Sequence, residues 1–123
     1  MDTIQIIGLG AGSTEDLTVR AYSALSEKIP AFARTDSHPI VNELRKNMHI
    51  ESFDDYFEEY ETFDEIYEKM TLKLIEQAKQ YGKINYCTAG SPYYGDIVTK
   101  KLINEYKSQI NTIIIDGMSF LDK

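Results

Sequence analysis

The chain has 123 residues, 42% hydrophobic and 27% charged, which is the balance of one ordinary globular domain. Its 20 acidic and 13 basic residues give a net charge of −7, which argues against a nucleic-acid binder, because such proteins usually present a basic face. One cysteine, Cys87, excludes an intrachain disulfide and a cysteine-rich metal site and is typical of a cytoplasmic protein. No apolar run reaches the roughly 20 residues of a membrane span.

Strand and helix patterns alternate along the chain. In chain order they predict a strand at 4–7, a helix at about 16–28, a strand at 31–34, a short helix begun by Pro39, a strand at 50–53, a helix at about 56–78, a strand at 83–88, a helix at about 95–107 and a strand at 110–115. Ser13 and Asp16 resemble a capping box at the start of the first helix. This order predicts an α/β fold with a five-stranded, mainly parallel sheet and helices on both faces.

The segment 51–69 is strongly acidic and also carries aromatic residues at helical spacing. The main interpretation is an amphipathic helix with a solvated acidic face. A surface for a cation or a basic partner is the alternative, although a metal site would need a more convergent group of carboxylates. We therefore predict no metal.

Small-residue turns follow three of the predicted strands, at residues 8–13, 89–95 and 116–119. Glycine in such turns lets the backbone bend tightly and lets a ligand approach main-chain groups. Because the carboxyl ends of parallel strands share one edge of the sheet, the three turns should converge there, where ligands of open sheets bind. A tight turn without a ligand is the alternative at the first of them.

A dinucleotide site is a competing interpretation of the first turn. Its glycines are spaced Gly-x-Gly-x-Gly, and Ser13 stands where the dinucleotide fingerprint has its third glycine. Asp36 is available as the acid that the fingerprint places about 20 residues further on. The pattern alone is a weak signal.

The chain resembles the N-terminal half of the tetrapyrrole (corrin/porphyrin) methylases. Four groups of residues carry the resemblance: 7–13 with Leu17-Thr18; Arg34-Thr35 with His38-Pro39; Phe53-Asp54 and Tyr56 with Phe63 and Tyr67; and 89–95 with 117–122. The second and third groups and the Ser-Phe-Leu-Asp ending look most like the branch fused to a MazG-type nucleotide pyrophosphohydrolase.

This resemblance implies a methyltransferase with two α/β domains that hold S-adenosylmethionine between them and release S-adenosylhomocysteine. The chain would be the first domain, inactive alone, with the second domain as its partner. The residues implied to bind the cofactor are Ala11, Ala89, Gly90, Ser91, Tyr94, Ser119 and Phe120. Those implied to line the substrate side are Gly8, Gly10, Gly12 and Ser13. The resemblance implies a small-molecule substrate such as a tetrapyrrole, and a homodimer, since the family tends to dimerise.

Three positions depart from the family pattern. Ser13 and Ser91 replace aspartates, and Arg34 falls roughly where uroporphyrinogen methylases carry an aspartate proposed as a proton acceptor. Backbone contacts to a cofactor do not need these carboxylates, so the departures bear on the substrate chemistry, and no catalytic residue is assigned. A non-catalytic ligand-sensing or assembly domain attached to a nucleotide pyrophosphohydrolase is therefore the alternative function.

Two further side chains have competing interpretations. His38 precedes Pro39 and is expected to be a capping or loop residue, with a substrate contact as the alternative. Cys87 lies in an apolar run and is expected to be a small buried hydrophobe.

Overall fold

A computed structural model describes residues 1–9, 17–88 and 96–115. Its elements, in chain order, are β1 (Thr3–Gly8), α1 (Val19–Leu25), β2 (Ala31–Ala33), α2 (Pro39–Leu44), β3 (Glu51–Ser52), α3 (Asp54–Glu59), α4 (Phe63–Tyr81), β4 (Lys83–Thr88), α5 (Ile97–Asn104) and β5 (Asn111–Ile115). The five strands form one sheet in the order β3-β2-β4-β1-β5, and each neighbouring pair is parallel. The predicted α/β fold is confirmed, and the sheet is parallel throughout.

The centre of the sheet is the pair β1 and β4. Ile4 lies opposite Ile84, and Ile6 lies opposite Tyr86. None of these four side chains is exposed to solvent. Strands covered on both faces are apolar along their whole length rather than in alternation, which is why short apolar runs were sufficient to predict them.

Helices cover both faces of the sheet, as predicted. Successive residues of a strand point to opposite faces. Ile6 and Tyr86 belong to the core cluster that includes residues of α4 and α5. Their neighbours Ile7 and Cys87 belong to a second cluster with residues of α1 and α2. No helix in the described ranges is long and apolar enough to cross a membrane.

The first helix is shorter than predicted. It begins at Val19, because Thr18 has extended backbone and its hydroxyl accepts a hydrogen bond from the N–H of Ala21 at 3.1 Å. The predicted start at Asp16 was therefore too early, since Thr18 is not helical; Ser13 and Asp16, the residues of the predicted capping box, lie outside the described residues. The cap signal of Thr18 lay five residues further along, and a threonine hydroxyl satisfies an otherwise unpaired N–H of the first turn.

The long helix predicted in the acidic segment is two helices, α3 and α4. The chain is extended at Thr62, whose hydroxyl accepts from the N–H of Glu65 at 3.2 Å and so begins α4. Thr62 and Glu65 have the spacing of a capping box, so the break had a signal in the sequence. At its other end α4 stops at Gly82, whose φ of 84° is one that glycine adopts readily.

Candidate functional site

The helices that follow β1 and β4 lie on opposite faces of the sheet. Helix α1 follows β1 and packs on one face, whereas α5 follows β4 and packs on the other. Because β1 and β4 are adjacent, a crevice is expected between their carboxyl ends. Open parallel sheets bind ligands at this kind of topological switch point. The candidate site therefore lies beyond Gly8 and Thr88, the last residues of the two strands, which are paired in register.

The two strand ends are held together beyond the last pair. The N–H of Leu9 donates to the carbonyl of Thr88 at 2.9 Å. Gly8, Leu9 and Thr88 are all buried. The segments that follow, 10–16 and 89–95, therefore continue from neighbouring strand ends, and their own convergence stays a prediction.

Of the predicted site residues, the structure describes only Gly8. The others lie outside the described residues: Gly10, Ala11, Gly12, Ser13, Ala89, Gly90, Ser91, Tyr94, Ser119 and Phe120. Their assignments stay predictions. What the structure adds is the position of the strand ends from which the segments that contain them leave the sheet.

Thr88 is a candidate site residue that the sequence reasoning missed. Its side chain is 1% exposed, and its Oγ1 atom has no hydrogen-bond partner among the described residues. A buried hydroxyl without a partner costs about 1–3 kcal/mol, so a ligand at the switch point that bonded Thr88 would recover part of this cost. The available signal was its place immediately before the turn 89–95.

Arg34 follows β2 at the same edge. Its N–H donates to the carbonyl of Cys87 at 3.3 Å, which places it beside the end of β4. The guanidinium donates from Nη2 to the Tyr67 hydroxyl at 3.1 Å, and its carbon lies 5.5 Å from the centre of the Tyr67 ring. Tyr67, a residue of α4, therefore fixes where this cation sits.

Asp36, the acid of the dinucleotide interpretation, is held in contacts within the fold. Its carboxylate is 3.1 Å from the guanidinium of Arg45, and its N–H donates to Oδ2 of Asp54 at 2.9 Å. Burial raises the pKa of Asp54, but hydrogen bonds from Asp36, Thr35 and Ser52 outweigh this and lower it. Asp36 is thus part of a structural network that joins the loop after β2 to the start of α3, which weakens the dinucleotide hypothesis.

His38 is the N-cap of α2, as expected for a capping residue. Its Nδ1 accepts from the N–H of Ile40 at 3.2 Å. It also borders a small cavity at the carboxyl edge, of about 20 Å³, lined by Leu9, Ala33, Arg34, Thr35, His38, Val41, Cys87 and Thr88. This space suits one water molecule at most, so a ligand would lie outside it.

A much larger cavity, of about 820 Å³, lies at the opposite edge of the sheet. Its lining includes Ile29 and Pro30, which precede β2, and Tyr81 at the end of α4. This is the amino end of the strands, whereas the small-residue turns lie at the carboxyl end. We place the candidate site by topology rather than by cavity size, because strand polarity decides where ligands of parallel sheets bind. Within the described ranges, no group of His, Cys, Asp and Glu side chains could hold a metal ion.

Cys87 is predicted to resist thiol reagents in the folded protein. Its side chain is 2% exposed, and burial raises the pKa of the thiol to about 12, so the reactive thiolate is scarce at neutral pH. A colorimetric disulfide reagent should titrate less than about a tenth of the thiol in minutes at about pH 8 and all of it in denaturant. Rapid stoichiometric labelling without denaturant would contradict the burial of Cys87.

The chain was compared with known proteins. The sequence profile of the Tetrapyrrole (Corrin/Porphyrin) Methylases matches residues 3–123. The uncharacterized protein YabN of Bacillus subtilis (strain 168) is 31% identical over 121 residues, which are 97% of this chain and 24% of YabN. A crystal structure of uroporphyrin-III-C-methyltransferase from Thermus thermophilus superposes with a TM-score of 0.69 at 19% identity, over 96% of this chain and 48% of that one.

The similarity in structure supports the fold, and the similarity in sequence supports the family. At 19% identity the Thermus structure supports the fold. The chain spans about half the length of that enzyme and about a quarter of YabN. The profile match over nearly the whole chain assigns the family, and the chain therefore belongs to the tetrapyrrole (corrin/porphyrin) methylases.

Proposed function

We propose that this chain is the half of an S-adenosylmethionine-dependent methyltransferase that forms one wall of the cofactor cleft. The observation that carries the proposal is the switch point between β1 and β4, where the hydroxyl of Thr88, without a partner among the described residues, lies beside buried Gly8. Both small-residue turns that the family resemblance assigns to cofactor and substrate begin at this point. Fold, family and topology therefore favour one location.

The residues at this edge fit such a cofactor. S-adenosylmethionine supplies a methyl group on a sulfonium, which is transferred by direct displacement. The protein's task is then to orient the reactants and to exclude water, for which a metal cluster or a nucleophile–base pair is not needed. The Thr88 hydroxyl could bond a polar group of the cofactor, and Gly8 has no side chain to obstruct its approach.

A second domain is part of the proposal. The chain aligns with 48% of the Thermus methyltransferase, so a comparable enzyme would need about as much sequence again. The same residues are only 24% of YabN, which leaves room there for more than a second methylase domain. We propose that the full-length protein also carries a MazG-type nucleotide pyrophosphohydrolase domain, because the Arg34-Thr35 and Phe53-Asp54 segments resemble the branch of the family that is fused to one. This half alone would be inactive.

Calorimetric titration with S-adenosylhomocysteine tests the proposal. We expect one molecule to bind per chain in the full-length protein and far weaker binding by residues 1–123 alone. Equal binding by both would place the whole site in this half. Absence of binding by the full-length protein would overturn the methyltransferase assignment and favour a sensing or assembly domain.

The variant Thr88→Val tests the location. Removing a buried hydroxyl that has no partner should leave the free energy of unfolding unchanged or raise it by about 1 kcal/mol, whereas the affinity for S-adenosylhomocysteine should fall about 3- to 10-fold. Thr99→Val is the matched control, since Oγ1 of Thr99 is also buried and without a partner among the described residues, but lies on α5. Equal losses of affinity in both variants would contradict a specific contact at Thr88.

A further inference from the structure

Arg34 lies at the carboxyl edge and forms no ion pair with an acid among the described residues. Its only charged or polar side-chain partner within residues 1–9, 17–88 and 96–115 is the neutral hydroxyl of Tyr67. Arg45, at the end of α2, is different: it pairs with Asp36 and donates twice to the carbonyl of Ile50, at 2.7 and 3.1 Å. The charge of Arg45 is therefore paired within the fold, whereas that of Arg34 is not paired by any described residue.

The surroundings of Arg34 restrict its mobility and its hydration. The side chain is partly buried, lies over the Tyr67 ring and donates to the hydroxyl of the same residue. Phe63 stacks on the Tyr67 ring with the ring centres 6.1 Å apart, and Phe57 approaches that ring edge-on at 6.4 Å. The guanidinium is therefore held by aromatic rings, and its remaining N–H donors have no partner among the described residues.

Two buried polar side chains, Tyr86 of β4 and Asp96 at the start of α5, are bonded to each other rather than to Arg34. The carboxylate of Asp96 accepts from the Tyr86 hydroxyl at 3.2 Å and from the N–H of Thr99 at 2.8 Å. Burial raises the pKa of Tyr86 well above its usual value, and the Arg34 charge works in the opposite direction. Tyr86 is therefore a neutral phenol, and both carboxylate oxygens of Asp96 already accept hydrogen bonds.

We propose that Arg34, positioned by Tyr67, binds an anionic group of the methyl acceptor and is a specificity-determining residue of the site. The inference rests on the proposed function and adds to it the chemistry of the acceptor: a carboxylate or phosphate presented to the end of β2. A guanidinium is suited to this because its parallel N–H donors match two oxygens of either group. In a chain of net charge −7, such a cation also selects where an anion approaches.

The test uses the full-length protein and two kinds of anion. Uroporphyrin III provides carboxylates, and inorganic triphosphate provides phosphate; a porphyrin with cationic N-methylpyridyl groups controls for the ring. Fluorescence or calorimetric titration gives each affinity for the parent, for Arg34→Gln and for Arg34→Lys. We expect Arg34→Gln to weaken binding of one anion about 10- to 100-fold and Arg34→Lys to weaken it less, because charge remains but the paired donors are lost.

Arg20→Gln is the matched control. It removes the same charge from an exposed position on α1, on the face of the sheet opposite α4. A loss for uroporphyrin III supports a carboxylate acceptor, and a loss for triphosphate supports a phosphate one. If Arg34→Gln changes the affinity for both anions no more than Arg20→Gln does, the proposal is overturned. Thermal unfolding of each variant shows whether it is folded. The milder Arg34→Lys gives a second test if Arg34→Gln does not fold.

Tyr67→Phe separates positioning from charge. Removing the hydroxyl keeps the ring under the guanidinium but releases Nη2, so the anion affinity should fall by less than it does in Arg34→Gln. S-adenosylhomocysteine binding should be unchanged in all these variants. Failure of that cofactor to bind the parent protein, with Arg34-dependent anion binding intact, would overturn the methyltransferase assignment alone; the reverse pattern would overturn the anion site alone.

Discussion

Replacing Phe53 with alanine is expected to lower the free energy of unfolding by about 3–5 kcal/mol. Phe53 is 2% exposed and lies at the junction of β3 and α3. Its ring centre is 5.2 Å from that of Tyr56, 6.0 Å from that of Phe32 and 6.4 Å from that of Tyr86. Its loss would leave a cavity bordered by three aromatic rings that are each anchored in a different element, so the site cannot easily collapse around it.

Phe63→Ala is the matched control for this prediction. Phe63 also stacks on an aromatic ring, that of Tyr67, but its side chain is 67% exposed, so truncation removes little buried area. We expect a change within about 0.5–1 kcal/mol, measured by urea unfolding followed by circular dichroism. Similar losses in the two variants would mean that Phe53 is not a centre of the core.

The sequence predicted the helical character of the acidic segment but not the break between α3 and α4. The aromatic spacing correctly indicated helices with one apolar side, but that pattern counts residues and does not detect a change of direction. Thr62 interrupts it with a side-chain cap, and residues on each side of the break still face the same core, since Tyr56 of α3 and Ile66 of α4 contact one cluster. The helical spacing of apolar residues therefore continues across the break at Thr62, which is why it did not reveal the break.

The sheet was predictable because burial on both faces leaves its strands largely apolar. β1 and β4 are apolar at most of their buried positions, with Gln5 and Asn85 as paired exceptions, and the predicted strand 83–88 has the bounds of β4. β3 lacks this pattern, because it contains two residues, one of them exposed, at the edge of the sheet. An edge strand held by two register pairs with β2 leaves little trace in composition.

The sequence could predict which strand ends share one edge of the sheet, but not which side chains meet there. The ends of β1 and β4 are adjacent, as expected for parallel strands, and the candidate site placed at this edge stays a prediction. Thr88 and Arg34 can be recognised as candidates only in the folded structure. The Thr88 hydroxyl is buried without a partner among the described residues, and Arg34 has no acidic partner among them. Neither property exists in a linear pattern, since both depend on which distant groups come close.

Asn85→Asp should make the stability of the chain strongly dependent on pH. Asn85 is fully buried in β4; its Oδ1 accepts from Nε2 of Gln5 at 2.7 Å, and its Nδ2 donates to the carbonyl of Ala24 at 3.0 Å. A protonated carboxyl reproduces both bonds, whereas an ionised one loses the donor and places a charge against a carbonyl. Burial therefore raises the pKa of the introduced group above its usual value of about 3.9.

The direction of this pH dependence follows from the linkage between proton binding and folding. A carboxyl whose pKa is raised by folding does not change the free energy of unfolding at pH values below its unfolded pKa, because it is protonated in both states. Above about pH 3.9 the variant should lose about 1.4 kcal/mol per pH unit relative to the parent until the pH reaches the folded pKa. Because full burial can raise the pKa of a carboxyl to about 8, a loss of about 3 kcal/mol or more is expected at neutral pH.

Asn111→Asp provides the comparison that isolates burial. Asn111 begins β5, is exposed, and makes one long side-chain hydrogen bond, at 3.4 Å, to Thr3. The same change there should alter the free energy of unfolding by less than about 0.5 kcal/mol, with no trend between about pH 4 and pH 8. Urea unfolding of both variants and the parent across this range decides the matter. A flat difference for Asn85→Asp would mean that water or a rearranged Gln5 solvates the carboxylate, and the polar contact between β1, β4 and α1 would then be a loose one rather than a determinant of how α1 packs on the sheet.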